Sequence, residues 1–485
     1  MDKQTLSNYG WLVIVTLILA VMLAFATPFG TYVGDGVVSV ANGIVGTSND
    51  ATDKNNLSQS EIEWDTKTKF GIEYKNFKYY NNMNEVEIAI NEKNLTSGNN
   101  KLSNNSILVS TTESNIPVVR LLKDIIITED VKFTEGIIFD LNGKTITMEN
   151  IDGIRIVSES DNIVLTSKGN KGVINATNVM NPMFIKTPKN IDVENICINA
   201  VVDNIISTDN TRCFTGGQSS ADSATKNLNI RDCVFATNSI TDTSTLLLSN
   251  IENLNMKNVI CESIESNFYL DIFLQYIGNG TITNCKFKTT KSTNLDKMNH
   301  ISNVGIVKNC NISNNIVFNN CDFEINSNKK QYHSMSNIAY YYDDSYKLEM
   351  ATYTYNTTFN NCNFVANVKD VEIFYQIFGR DVSTYNVNTN NCTFNSNVEN
   401  IKNFKTINLL KGTYNGQNDI FNYTFKNLNL SNQFLYYIGN NAVAHINNPR
   451  VNIISKENCT GNFGEIKAES NAIIETTNSN LKINK

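Results

Sequence analysis

Histidine, tryptophan and proline are scarce in this chain: 3 His, 2 Trp and 5 Pro in 485 residues. His300, His333 and His445 stand far apart in sequence, which argues against a His-rich zinc site. Charged side chains make up 18%, against about 25% in an ordinary soluble protein. The net charge is −7. That excludes a nucleic-acid binder held by bulk positive charge, since phosphate contacts need clustered Lys and Arg. The 10 Cys contain no C-x-x-C pair, so metal and redox readings of them are weak. No stretch after residue 50 shows a long helical period. What fills the gap is asparagine, 81 residues of it. Hydrophobic residues still make up 41%. There is enough Ile, Leu, Val and Phe to bury a core, and the polar bias is not disorder.

Residues Leu12 to Ala26 read LVIVTLILAVMLAFA. With Trp11 before and Thr27-Pro28-Phe29 behind, the apolar stretch is about 19 residues, enough to cross a bilayer core of roughly 30 Å. Tyr9 and Trp11 fall where an interfacial aromatic belt would sit, and Lys3 precedes the span, which points the C-terminus outward. Ala24-Phe25-Ala26 also fits a signal-peptidase site. The two readings are a single-pass anchor and a chain secreted after cleavage at Ala26, and the thin positive region before the span favours the anchor. Both put the bulk of the chain outside the cytoplasm. Apolar residues continue at helical spacing through Val45, so residues 1–47 are read as an N-terminal membrane helix. This segment resembles the N-terminal stalk of pilin-like proteins. Residues 48–117, rich in Asn, Ser, Thr and Lys, are read as linker and capping region, with a few alternating stretches such as EVEIAI at 85–90.

From Val118 onward, apolar and polar residues alternate in runs of about 4–6, broken by Asp, Asn and Gly, which predicts short strands. A repeat runs through them: a polar residue, Cys, any residue, then an apolar one. It occurs at Asp232-Cys233-x-Phe235, Asn284-Cys285-x-Phe287, Asn309-Cys310-x-Ile312, Asn320-Cys321-x-Phe323, Asn361-Cys362-x-Phe364 and Asn391-Cys392-x-Phe394. Cys and Phe two residues apart share one side of a strand, and both favour burial. Asn tolerates the left-handed conformation that a sharp bend requires. If each repeat is one turn of a coil, the Asn residues stack about 4.8 Å apart and hydrogen-bond along the stack. The Cys then stack inside as buried thiols rather than disulfides, since parallel side chains give poor disulfide torsions. A second repeat, F-x-x-x-[IF]-G, ends at Gly278, Gly379 and Gly439, where glycine would suit a positive-φ bend.

Together these repeats resemble the right-handed parallel β-helix of the pectate-lyase-like superfamily. The resemblance extends over roughly residues 118–470, within a domain bounded at 118–485. It implies an all-β solenoid of about 10–13 turns, with loop insertions at 205–226, 290–303 and 327–356. The opening Leu121 to Thr147, with its Asn142-Gly143 bend, looks like the first turns of such coils in bacterial surface proteins. The motifs of the family's enzymes are missing: no Gly-His-Gly or Arg-Ile-Lys segment of polygalacturonases, no Arg in a pectate-lyase setting, no pectin-methylesterase motif. No catalytic residue and no metal ligand is assigned.

The candidate binding surface is the insertion 331–356, above all Tyr340, Tyr341, Tyr342, Asp343 and Asp344. Aromatic faces stack on sugar rings and carboxylates accept sugar hydroxyls. Paired Asp also offer oxygen ligands that suit Ca²⁺, though nothing else calls for a cofactor. The competing reading is that these tyrosines pack the loop against the coil. Tyr276, Tyr375, Tyr436 and Tyr437 of the second repeat are a further candidate, an aromatic strip along one face. The sequence reads best as a membrane-anchored extracytoplasmic surface protein that binds or adheres, with a polysaccharide or cell-surface glycan as partner. The alternatives are a polysaccharide lyase or glycoside hydrolase, and a structural or pilus-like subunit.

Overall fold

The computed structural model describes residues 74–92, 106–112, 116–149, 156–158, 162–179, 181–186, 189–203, 211–217, 224–239, 243–265, 270–291, 300–308, 314–327, 334–342, 354–379 and 383–484. All belong to one compact unit, Glu63–Asn100 with Asn104–Lys485. The apolar stretch Leu12–Ala26 lies outside the described residues, and no described helix is long and apolar enough to cross a membrane.

Among the described residues the alternating runs form strands, in sheets of 24 and 12 strands. In the smaller sheet each inner strand pairs in parallel with the strands one turn before and one turn after. Lys286–Lys291 lies between Ile260–Ile264 and Asp322–Ser327. The larger sheet carries two such stacks. The 15-residue strand Thr243–Lys257 pairs through its first half with Thr211–Gly217 and through its second half with Thr225–Arg231. Between the halves it bends at Asn250, where φ is +53°. Each turn thus lays one strand on each of three faces. The first face continues through Thr211–Gly217, the second through Thr225–Arg231, and the third is the 12-stranded sheet. The described chain is a parallel β-solenoid, and its 12-stranded face agrees with the expected about 10–13 turns.

The corner between the second and third faces is the predicted asparagine bend. Asp232, Asn258, Asn284, Asn320, Asn361, Asn391, Asn418 and Asn448 occupy it in successive turns, with φ between +50° and +56°. Asn258 Nδ2 donates to Asp232 Oδ1 at 2.8 Å, Asn284 to Asn258 at 3.3 Å, Asn320 to Asn284 at 3.4 Å. Inside, the rings follow the same rise: Phe287–Phe323, Phe323–Phe364, Phe364–Phe394 and Phe394–Phe421 stack at 5.3, 4.9, 4.6 and 5.0 Å. A left-handed residue costs roughly 1–2 kcal/mol, and a net hydrogen bond returns about 0.5–1.5 kcal/mol. The corners therefore roughly break even. Each buried Phe adds about 1.5–3 kcal/mol, so the interior column carries the stability and the corners set the register. Cys233, Cys285, Cys321, Cys362 and Cys392 sit just inside the corner, buried and free. Their thiols donate to the carbonyl two residues back, as Cys362 does to Asn360 O at 3.4 Å.

Four local expectations change. EVEIAI is not a strand but part of the helix Met83–Asn91, which buries Met83, Val86, Ala89 and Ile90. The Asn82 side chain caps it by accepting from Glu85 N at 3.0 Å, and the Asn82-x-x-Glu85 signal outweighs the period-2 pattern. Asn309-Cys310 lies outside the described residues, and the corner ladder passes directly from Asn284 to Asn320. The expected insertion 327–356 instead contributes strands Ser334–Tyr342 and Thr354–Asn360 to the first and second faces. Finally, Gly379 and Gly439 are not positive-φ bends. They allow close approach: a Cβ on Gly379 would stand 2.7 Å from the Tyr385 ring, and one on Gly439 2.6 Å from Leu410 O.

Candidate binding surface

Side chains along each strand alternate between the interior and the outer surface. On the third face the outward positions are largely polar and chained turn to turn. Asn363 Nδ2 donates to Asp322 Oδ1, Asn395 to Asn363 and Asn422 to Asn395, at 3.4, 3.0 and 3.0 Å. The second face repeats this through Asn227, Asn253 and Asn279. Each amide spends one donor and one acceptor on its neighbours.

The first face is different. Pairing of Ile373–Gly379, Asn403–Gln417 and Gln433–Asn447 aligns Tyr375, Lys405 and Phe434 in one outward column. Phe378, Asn408, Tyr437 and Lys467 form the adjacent one. The Tyr375 and Phe378 rings stack at 4.6 Å. Lys405 Nζ sits 3.6 Å from the Tyr437 ring centroid and 5.8 Å from that of Tyr375, and donates to Asn408 Oδ1 at 3.3 Å. Lys467 Nζ lies 5.5 Å from the Phe434 centroid. Tyr437 donates to Glu469 Oε1 at 2.7 Å, and Glu469 Oε2 accepts the Asn440 backbone N–H at 3.0 Å. Burial, and then the Lys467 charge, push the Lys405 ammonium down to about 8. The Glu469 hydrogen bond, then burial, push the Tyr437 phenol up to about 12.

This patch combines the half-buried rings of Phe378, Phe434 and Tyr437 and the edge of the largely buried Tyr375 with the Lys405 cation. Rings of this kind stack on the apolar face of a sugar, and the ammonium donates to a carboxylate or hydroxyl oxygen. Among the described residues, no three His, Cys, Asp or Glu side chains converge in a way that could hold a metal ion.

The sequence-derived candidates separate. Tyr340 is 0% exposed and packs in the interior against Tyr355 and Tyr385, at 5.4 and 5.1 Å. It is an inward residue of Ser334–Tyr342, shut off from any sugar ring. Tyr341 and Tyr342 continue that strand, with side chains outside the described set, as are Asp343, Asp344, Arg380 and Asp381. Of the second-repeat tyrosines, Tyr375 and Tyr437 do share the first face, whereas Tyr436 is 0% exposed. Tyr276 packs with Leu247, Phe273 and Val307. Phe434 opens the second repeat and Phe378 is its penultimate position, but the sequence does not mark either, or Lys405, as a surface residue. The signal that could have found them is alignment of the strand starts at 373, 403 and 433, about one turn apart.

Comparison of the chain with protein-family models, with curated proteins and with solved structures finds no match.

Proposed function

We propose that this chain is a non-catalytic binding module displayed outside the cytoplasm, with an anionic or neutral glycan as ligand. Its coil is taken as a right-handed parallel β-helix of the pectate-lyase-like kind, since parallel strand crossovers are almost always right-handed. The membrane anchor rests on the apolar stretch Leu12–Ala26. The observation that carries the binding reading is the outward cluster of Tyr375, Phe378, Phe434 and Tyr437 around Lys405. Among the described residues it gathers four aromatic rings around one cation, against a single ring under Lys186 at Phe184. A solenoid also offers such a patch on a rigid, extended surface.

The test uses full-length protein in detergent micelles, applied to immobilised uronic-acid-containing and neutral polysaccharides. Retention of the wild type, weakened roughly fivefold by Tyr437→Ala or Phe434→Ala, is expected, as the loss of a ring contact worth about 1 kcal/mol implies. New reducing or unsaturated chain ends in the eluate would replace this reading with that of a lyase or hydrolase. No retention on any glycan would favour a structural or pilus-like subunit.

A further inference from the structure

The solenoid interior is apolar except for a seam of buried polar side chains, and one turn of that seam holds a lysine. Lys291 ends the third-face strand Lys286–Lys291, and Asp271 stands at the start of the first-face strand Leu270–Thr283. Both side chains point into the same turn and are 0% exposed, with Nζ 3.0 Å from Oδ1. Lys291 is the one lysine in the buried set among the described residues. One turn on, its position is Ser327. In the neighbouring turns the register puts Thr245 and Asn303 where Asp271 stands. Two opposite charges without water are costly to keep as charges.

The surrounding hydrogen bonds hold the two groups in one orientation. Asn303 Nδ2 has three acceptors in reach of its two protons, the backbone carbonyls of Phe287 and Glu324 and Asn337 Oδ1, at 2.9, 3.1 and 3.2 Å. These three acceptors fix the amide orientation and turn Asn303 Oδ1 toward Thr289. Thr289 Oγ1 lies 3.0 Å from that oxygen and also 3.0 Å from Asp271 Oδ2. A hydroxyl has one proton and cannot donate to both. With a proton on Asp271 Oδ2, as in the acid form that the condensation below consumes, Asp271 donates to Thr289 and Thr289 donates to Asn303. Ser263 Oγ donates to Asp271 Oδ1 at 2.8 Å, so the two carboxyl oxygens differ in their partners.

We propose that Lys291 and Asp271 condense to a side-chain amide bond, a covalent cross-link between two faces of one turn. Within the pair the ammonium passes a proton to the carboxylate, leaving a free amine beside a carboxylic acid. The Nζ lone pair forms a bond to Cγ, and the Cγ–Oδ2 bond breaks. Oδ2 leaves as water with its own proton and one from Nζ, and nothing is oxidised or reduced. Ser263 stays on Oδ1, where negative charge develops in the tetrahedral intermediate and which becomes the amide carbonyl. Close approach of the two groups supplies the effective concentration, and their burial keeps water from reversing the step. The nine described cysteines are free, so this amide is the one covalent cross-link among the described residues.

Mass spectrometry of the full-length protein decides the matter. The expected result is an intact mass lower by one water than the sequence requires. Tryptic digestion should yield a branched peptide joining residues 258–286 to residues 289–297, uncleaved at Lys291. Lys291→Arg should restore the full mass and abolish the branched peptide. A full intact mass, with residues 289–291 recovered as a linear tryptic peptide, would overturn the proposal. If Lys291→Arg does not fold, the wild-type mass and peptide map still give the answer.

Discussion

Asp419 stands where Cys392 stands one turn earlier, and its Oδ1 accepts the Cys392 backbone N–H at 2.9 Å. Both follow a left-handed corner asparagine, Asn418 and Asn391. The substitution puts a carboxyl at the end of a thiol column. Its other oxygen accepts from Thr389 Oγ1 at 2.6 Å and Tyr414 OH at 3.3 Å. Burial outweighs these donors and pushes the acid up to about 7.

A pH-dependent stability follows. The unfolded acid titrates near ~3.9 and the folded one near 7. Below the unfolded value both states are protonated, and the contribution is fully present. As pH rises toward 7 the unfolded chain ionises first, and stability falls by a few kcal/mol, levelling off above 7. Asp419→Asn keeps an acceptor for Cys392 N–H and cannot ionise. Its urea midpoint should stay flat between pH 4 and pH 7 while that of the wild type declines. Parallel curves for the two proteins would refute the assignment.

The corner ladder separates conformation from hydrogen bonding. Asn258 has φ +55°, donates to Asp232 and accepts from Asn284. Asn258→Gly keeps the backbone freedom and loses the two amide bonds, a cost of about 1–2 kcal/mol. Asn258→Ala loses the same bonds and adds the left-handed strain of roughly 1–2 kcal/mol. Chemical denaturation should rank wild type above Gly above Ala. Equal stability of the two variants would mean that the corner is not held in the left-handed region.

Binding of an acidic glycan should depend on the Lys405 charge. The ammonium is pushed down to about 8, so it is charged below that value and neutral above it. Retention on a uronic-acid polysaccharide should fall as pH rises through about 8, with little change on a neutral one. In Lys405→Arg the guanidinium stays charged, and the decline should vanish. An unchanged decline in that variant would place the titrating group elsewhere.

Some features of this molecule are written locally. Period-2 alternation specifies strands because side chains leave a strand on alternate sides. The Asn-Cys-x-Phe repeat specifies a corner followed by two inward residues, because Asn accepts a positive φ and Cys and Phe avoid water. Hence the solenoid, its free buried thiols and its stacked rings were all readable from spacing. The helix Met83–Asn91 was misread because Val86, Ile88 and Ile90 fit a strand period, whereas the helix buries Met83, Val86, Ala89 and Ile90 and leaves Ile88 exposed, and the Asn82 cap marks its start.

What residue spacing could not supply is which turns lie next to each other, because turn length varies as loops enter and leave the coil. Asn320 is 36 residues from its ladder partner Asn284, and Asn258 only 26 from Asp232. That variation hid the alignment of Tyr375 with Lys405 and Phe434. It also made Tyr340 look like a loop tyrosine, although the pairing of Ser334–Tyr342 with Ile373–Gly379 turns it inward. Local chemistry settled the strand, the corner and the inward column. Side-by-side packing of distant turns alone decided which outward residues meet, because a surface patch on a solenoid is assembled across turns rather than along the chain.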